Sequence, residues 1–210
     1  MNHFRPISLC NTVYKTIAKL LVSRLRPLLV NLISPCQSAF ISDRWIVENQ
    51  LIVQEILHSF KKRKVKGGFV AMKVDLQKAY DRVNWSFLKA VLEKFGFHGQ
   101  FVNWIMQCVS SVSCSIMVNG GKTKSFKPSH GLRQGDPLSS YLFILYQEVL
   151  SRMIEKDHAA GIINGVKMNR DGPPFTNVMY VDDIMIFAKA TNREIQALDD
   201  YLERYCLWSR

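Results

Sequence analysis

Val178-Met179-Tyr180-Val181-Asp182-Asp183-Ile184-Met185-Ile186-Phe187-Ala188 sets two adjacent carboxylates in the middle of an apolar stretch. Val178–Val181 and Ile184–Ala188 each have the length and composition of a short strand, so the segment reads as a β-hairpin with the acids between its arms. Aspartate favours turns, and a polar hairpin turn accounts for the pair on its own. Two features pull the other way. The glycine that usually accompanies Asp in a tight turn is missing, and both runs look continuously buried rather than alternating. Carboxylates at the edge of a core are costly unless compensated, and a divalent cation is one group that compensates them.

Upstream, Phe69–Val74 is a second apolar run, preceded by Gly67 and Gly68, and it ends on Asp75. That aspartate opens Leu76-Gln77-Lys78-Ala79-Tyr80-Asp81-Arg82-Val83. A strand-end aspartate alone is a turn or helix cap. Combined with an acid pair on a hairpin, it supplies the carboxylates from separate strands that two Mg²⁺ ions about 3.5–4 Å apart need for phosphoryl transfer. Mg²⁺ takes oxygen ligands and keeps several waters, so few side chains suffice. A third segment, Gly131-Leu132-Arg133-Gln134-Gly135-Asp136-Pro137-Leu138-Ser139, has two glycines and a proline ahead of a helix. Its backbone can approach a ligand closely, and Gln134 can hydrogen-bond a base or sugar. Taken alone it is equally a loop before a helix.

The rest of the 210-residue chain fits this frame. A formal net charge of +11 suits an anionic partner, nucleic acid or a membrane face. The five cysteines (Cys10, Cys36, Cys108, Cys114, Cys206) have no CxxC spacing, and the histidines pair with none of them at zinc-ligand spacing. A reducing intracellular compartment is expected, nucleus or cytoplasm, with no secretory signal evident and no membrane association. Ile17–Leu32, the longest apolar stretch, is broken by Lys19, Arg24, Arg26 and Pro27 and cannot span a bilayer.

Asn11 is expected to cap a helix in which Val13, Ile17, Leu20, Leu21, Leu25, Leu28, Leu29 and Leu32 recur at helical spacing, kinked or divided at Pro27. A second helix is expected over Glu48–Phe60 with Leu51, Ile52, Val53, Ile56 and Leu57 inward, followed by an exposed basic loop from Lys61 to Lys66. Further helices are predicted at Trp85–Phe95, Gln100–Val112, Pro137–Lys156 and Asn192–Trp208, the last with Ile195, Leu198, Leu202 and Tyr205 on one face. Ser113–Lys127 reads as a hairpin around Asn119-Gly120-Gly121. Helices and strands intermix without β-α-β alternation, which favours α+β with an antiparallel sheet packed on helices.

In order, Arg5-Pro-Ile-Ser-Leu9, Gln37-Ser-Ala-Phe40, Asp75-x4-Tyr80-Asp81-Arg82-Val83, Gly131–Ser139 and Tyr180-Val-Asp-Asp183 resemble the reverse transcriptases of non-LTR (LINE-type) retrotransposons, plant LINE elements among them. The resemblance runs along nearly the whole chain. It implies a right-hand polymerase: one reverse transcriptase domain over residues 1–210, with about 1–70 as partial fingers, about 71–210 as mainly palm with an interleaved fingers segment, and the thumb absent. Asp75 and Asp182 would be the principal metal ligands and Asp183 the third carboxylate, for two Mg²⁺ ions with Mn²⁺ as a substitute. Tyr80 would pack under the incoming sugar and exclude a 2′-hydroxyl. Gln134 and Gly135 would lie beside nucleotide and template, Arg5 would reach the triphosphate, and Arg133 and Tyr180 would contact nucleic acid.

The implied partners are an RNA template, a DNA primer and a dNTP. Two positions depart from the family pattern: Tyr180-Val181 stands where LINE-type enzymes commonly have Phe-Ala, and Ser140 where many have proline. The alternatives are a nucleic-acid-binding remnant without catalysis and a group II intron maturase-like polymerase. An RNA-dependent RNA polymerase is disfavoured by the aromatic Tyr80.

Overall fold

A computed structural model describes residues 6–62, 67–169 and 171–209; Arg5 and residues 63–66 of the basic loop lie outside the described residues. The elements are α1 (Thr12–Leu32), α2 (Ile46–Lys62), β1 (Phe69–Asp75), α3 (Trp85–Lys94), α4 (Gly99–Ser110), β2 (Met117–Val118), β3 (Gly121–Lys122), α5 (Ser139–Ala159), β4 (Val166–Lys167), β5 (Pro174–Phe175), β6 (Asn177–Tyr180), β7 (Asp183–Lys189) and α6 (Asn192–Ser209). The chain forms two compact units with interleaved sequence. One takes the residues up to Leu25 with Lys78–Phe143; the other takes Arg26–Gln77 with Ile144–Trp208.

The second unit is built on an antiparallel sheet in the order β1-β7-β6. Its register runs from Phe69 opposite Lys189 to Asp75 opposite Asp183, and from Asn177 opposite Ile186 to Tyr180 opposite Asp183. Strand side chains alternate between faces, so Phe69, Ala71, Lys73 and Asp75 share a face with Asp183, Met185, Phe187, Val178 and Tyr180. Most of that face is apolar and is covered by α2: Ile56, fully buried, packs with Val166, Val178 and Phe187, and Ile52, Val53 and Phe60 close its margin. The apolar face ends at its acids. On the other face, Asn177 donates from Nδ2 to Ser151 Oγ on α5 at 3.1 Å, tying sheet to helix through a buried polar contact.

In the first unit, Asn84 Oδ1 accepts from the backbone N–H groups of Ser86 and Phe87 and starts α3; His98 Nδ1 accepts from Gln100 and starts α4. Leu88, Val91 and Leu92 of α3 and Val102, Ile105 and Val109 of α4 are buried at helical spacing. Asn11 caps α1 as expected, its Oδ1 accepting from Tyr14 N–H at 2.7 Å.

The expected apolar faces need correction. On α1 the buried positions are Ala18, Leu21, Leu25 and Leu29, whereas Val13, Ile17, Leu20 and Leu28 are exposed. Pro27 does not divide the helix, which runs through it. On α2, Leu51 and Leu57 are exposed, and on α6 the buried stripe is Leu198, Tyr201 and Tyr205 while Ile195 is exposed. The β4–β5 hairpin and a 3-10 turn at Tyr80–Arg82 are additional elements.

Candidate active site

The aspartates come from the two strands that the sequence indicates. Asp75 closes β1 and Asp183 opens β7, and they are direct cross-strand partners, so their side chains leave the same face of the sheet. Asp182 immediately precedes Asp183, in the turn from β6 to β7. The turn is strained: Val181 sits at φ +56°, a left-handed conformation rare for a β-branched residue. Such strain persists only where the surroundings over-determine it, and it concentrates at functional sites.

A cation already faces these acids. Lys73, two residues before Asp75 and on the same face, places Nζ 3.0 Å from Asp183 Oδ1. Its pKa is raised, first by the hydrogen bond to Asp183 and its charge, then by the charges of Asp75 and Asp182. The ammonium therefore lies in the field of all three carboxylates. Among the described residues, no three His, Cys, Asp or Glu side chains converge closely enough to form a ready metal cage. The donor set nevertheless fits a hard divalent cation: oxygen only, carboxylate only, on two paired strand ends and the turn beside them, with a positive charge drawn to it.

Tyr180, half-buried beside the acids, is the cross-strand partner of Asp183 and belongs to the margin of the α2-covered cluster. Its hydroxyl pKa is raised by burial.

The first unit brings together the other expected residues. The Tyr80 ring stacks on Phe143 with centroids 4.6 Å apart and planes 15° off parallel, and its hydroxyl lies 3.5 Å from Ser140 Oγ. The 131–135 loop is bound to the Tyr80 segment by Leu132 N–H to Tyr80 O at 2.7 Å, by Gly131 N–H to Val83 O at 2.8 Å, and by Trp85 Nε1 to Gly131 O at 2.8 Å. Gly131 has φ +90°, and a β-carbon there would stand 2.8 Å from Asp81 O. Only glycine permits that approach.

Gln134 presents its backbone oxygen to Ser8 N–H at 2.9 Å, and a β-carbon at Gly135 would meet Ser8 O at 3.3 Å. The Pro6–Leu9 segment thus braces the Gln134–Gly135 turn.

Arg133, expected on nucleic acid, directs its guanidinium inward. It lies over the Tyr14 ring at 4.1 Å, donates to Asp136 Oδ2 at 2.8 Å and to Cys108 O at 3.0 Å. Tyr14 donates to the same Asp136 oxygen at 2.6 Å, and Asp136 Oδ1 accepts from Leu138 N–H at the start of α5. Burial and the Asp136 contact push the Tyr14 hydroxyl pKa up. Sequence reasoning missed Lys73 and Tyr14; for Lys73 the signal was present, since strand alternation puts position 73 on the face of Asp75.

The model of the reverse transcriptase (RNA-dependent DNA polymerase) family matches residues 1–208. Among curated proteins, the chain is 29% identical over 189 residues to the transposon TX1 149 kDa protein of Xenopus laevis, covering 90% of this chain and 14% of that protein. It is 28% identical over 199 residues to the retrovirus-related Pol polyprotein of the type-2 retrotransposable element R2DM of Drosophila melanogaster, covering 94% of this chain and 17% of the polyprotein. In fold it is similar to apo telomerase of Candida tropicalis truncated from its C-terminal domain, with TM-score 0.61, 15% identity, 90% of this chain and 38% of that one covered. The likeness shows a right-hand polymerase fold. The chain spans well under a fifth of the length of these retrotransposon relatives.

Proposed function

Because the chain belongs to the reverse transcriptase (RNA-dependent DNA polymerase) family, we propose that it adds deoxynucleotides to a primer 3′-hydroxyl on an RNA template at Asp75, Asp182 and Asp183. The observation that carries this reading is the register that sets Asp75 directly against Asp183, with Asp182 adjacent and an ammonium already attracted to the group.

Two Mg²⁺ ions, or Mn²⁺ in their place, would be held by Asp75, Asp182 and Asp183, and when bound supply the charge that stabilises the attacking and leaving oxygens of in-line phosphoryl transfer. The protein's part is positional. The two strand ends fix Asp75 and Asp183, and the strained turn fixes Asp182. The Tyr80 ring, held on Phe143, presents a wall against a ribose 2′-hydroxyl. The turn at Gln134 and Gly135 offers backbone and an amide to nucleotide and template, and Arg5 offers its charge to the triphosphate. Residues 1–70 are read as partial fingers and about 71–210 as mainly palm with an interleaved fingers segment. The +11 net charge favours the phosphate backbones of template and primer.

The test is incorporation of dNTP on an RNA template annealed to a DNA primer, with Mg²⁺ and with EDTA. Mg²⁺-dependent extension supports the proposal. A binding-only reading takes its support from Lys73, which stands against Asp183 where a metal ligand would be free. It predicts salt-dependent RNA binding and no extension at any Mg²⁺ concentration.

A further inference from the structure

Gln37-Ser38-Ala39-Phe40 is a motif to which the proposed chemistry assigns no role, yet its first residue lies behind the acid turn. The backbone of Cys36 and Gln37 adds to the free edge of the sheet at β6. Met179 N–H donates to Cys36 O at 2.8 Å, and Gln37 pairs with Met179 as an isolated parallel bridge. Asn49 Nδ2 on α2 also donates to Cys36 O, at 3.0 Å, which holds the segment from its other side.

From that position the Gln37 side chain, 1% exposed, turns toward the hairpin. Its Oε1 accepts from Ala39 N–H at 3.0 Å and from Val181 N–H at 3.4 Å. Two N–H donors converging on one atom require an oxygen there, so the amide's orientation is fixed by its partners. Its Nε2 is buried and has no hydrogen-bond partner among the described residues. A buried glutamine that leaves one donor unmatched is costly, and a hydrophobic residue would fill the same space without that cost. What glutamine provides here is an acceptor for the N–H of the residue that holds φ +56° immediately before Asp182.

We infer that Gln37 is a positioning residue for the metal site: its side-chain oxygen holds Val181 in the left-handed conformation that aims Asp182 and Asp183. The inference rests on the reading of those aspartates as metal ligands. It requires only the acceptor oxygen, not the amide nitrogen, and this separates the conservative variants.

The experiment titrates the 210-residue chain with Mn²⁺ and follows the free-ion signal by electron paramagnetic resonance, which needs no turnover. The same proteins are then compared in primer extension and in thermal melting. Gln37→Met removes the acceptor, Gln37→Asn withdraws it by one carbon, and Gln37→Glu keeps it. Gln37→Met and Gln37→Asn are expected to weaken Mn²⁺ binding roughly five- to tenfold and to lower kcat with little change in RNA affinity, while Gln37→Glu stays within about twofold of wild type. Should Gln37→Met fail to fold, Gln37→Asn decides.

Mn²⁺ affinity in Gln37→Asn equal to wild type, or a loss in Gln37→Glu as large as in Gln37→Asn, would overturn the inference. Asp182→Asn separates the two claims. If it abolishes Mn²⁺ binding while the Gln37 series is flat, the metal reading stands and the positioning role falls; if Asp182→Asn binds Mn²⁺ normally, the metal reading itself falls.

Discussion

Lys73 Nζ stands 3.0 Å from Asp183 Oδ1, on the strand face that also carries Asp75. The pair is exposed, so its worth as a stabilising salt bridge is small. Its consequence is for the acids: the ammonium and a divalent cation compete for the same carboxylate. Lys73→Met should therefore lower the Mg²⁺ concentration for half-maximal extension, by about two- to fivefold given the modest strength of exposed ion pairs. A Mg²⁺ titration of initial rates checks this. A rise in the Mg²⁺ requirement would instead make Lys73 an aid to metal or substrate binding.

The Tyr80 ring is held by its stack on Phe143. Tyr80→Ala should relax the preference for dNTP over rNTP by roughly 10–200-fold, the range of a single steric or apolar contact. Phe143→Leu, which loosens the ring without removing it, should shift the preference in the same direction by less. Single-nucleotide incorporation with matched dNTP and rNTP measures both. Unchanged preference in Tyr80→Ala would remove the gate role.

Gly131 illustrates a constraint of a different kind. With φ +90° and Asp81 O 2.8 Å from an added β-carbon, Gly131→Ala meets both strain and a backbone clash. A loss of about 2–3 kcal/mol is expected, and for a chain of this size that lowers Tm by about 4–12 °C. Gly96 has φ +82° but open space around it, so Gly96→Ala should cost only about 1 kcal/mol. Thermal melts of the two variants should rank in that order.

Glu148 on α5 is buried and accepts from Ser34 N–H, Ser34 Oγ and Arg152 Nε. Burial outweighs these contacts and raises its pKa above the ordinary glutamate value near 4.5. A carboxyl that holds its proton more tightly folded than unfolded contributes stability in acid, and loses it as pH rises from the unfolded value through the folded one. Glu148→Gln stays neutral throughout, so its Tm relative to wild type should rise as pH increases from about 4.5 toward neutrality. A difference that stays constant across that range would contradict the sign.

The sheet and the aspartates were legible because they depend on short-range pattern. Short apolar runs, one ended by Asp75 and two flanking Asp182-Asp183, define strands, and antiparallel pairing sets Asp75 opposite Asp183. The inward face of α1 was not legible. Val13, Ile17, Leu20 and Leu28 are as apolar as Leu21, Leu25 and Leu29, so the sequence carries a broad apolar surface and only packing chooses which part is buried. Pro27 does not divide the helix for a related reason: its local cost is offset in a helix anchored on both sides by buried leucines. The setting of Arg133 was not legible either: Tyr14 and Asp136, over a hundred positions apart, hold its guanidinium together. Gln37 shows no periodicity at all, and its contact with Val181 spans 144 positions.

The most direct test of the central claim is primer extension on an RNA template with Mg²⁺, comparing wild type with Asp182→Ala at matched folded fraction. The proposed site requires wild type to incorporate dNTP and Asp182→Ala to lose incorporation by roughly 100-fold or more, as removal of one preorganised charge from an active site does. Equal incorporation by the two proteins would contradict it.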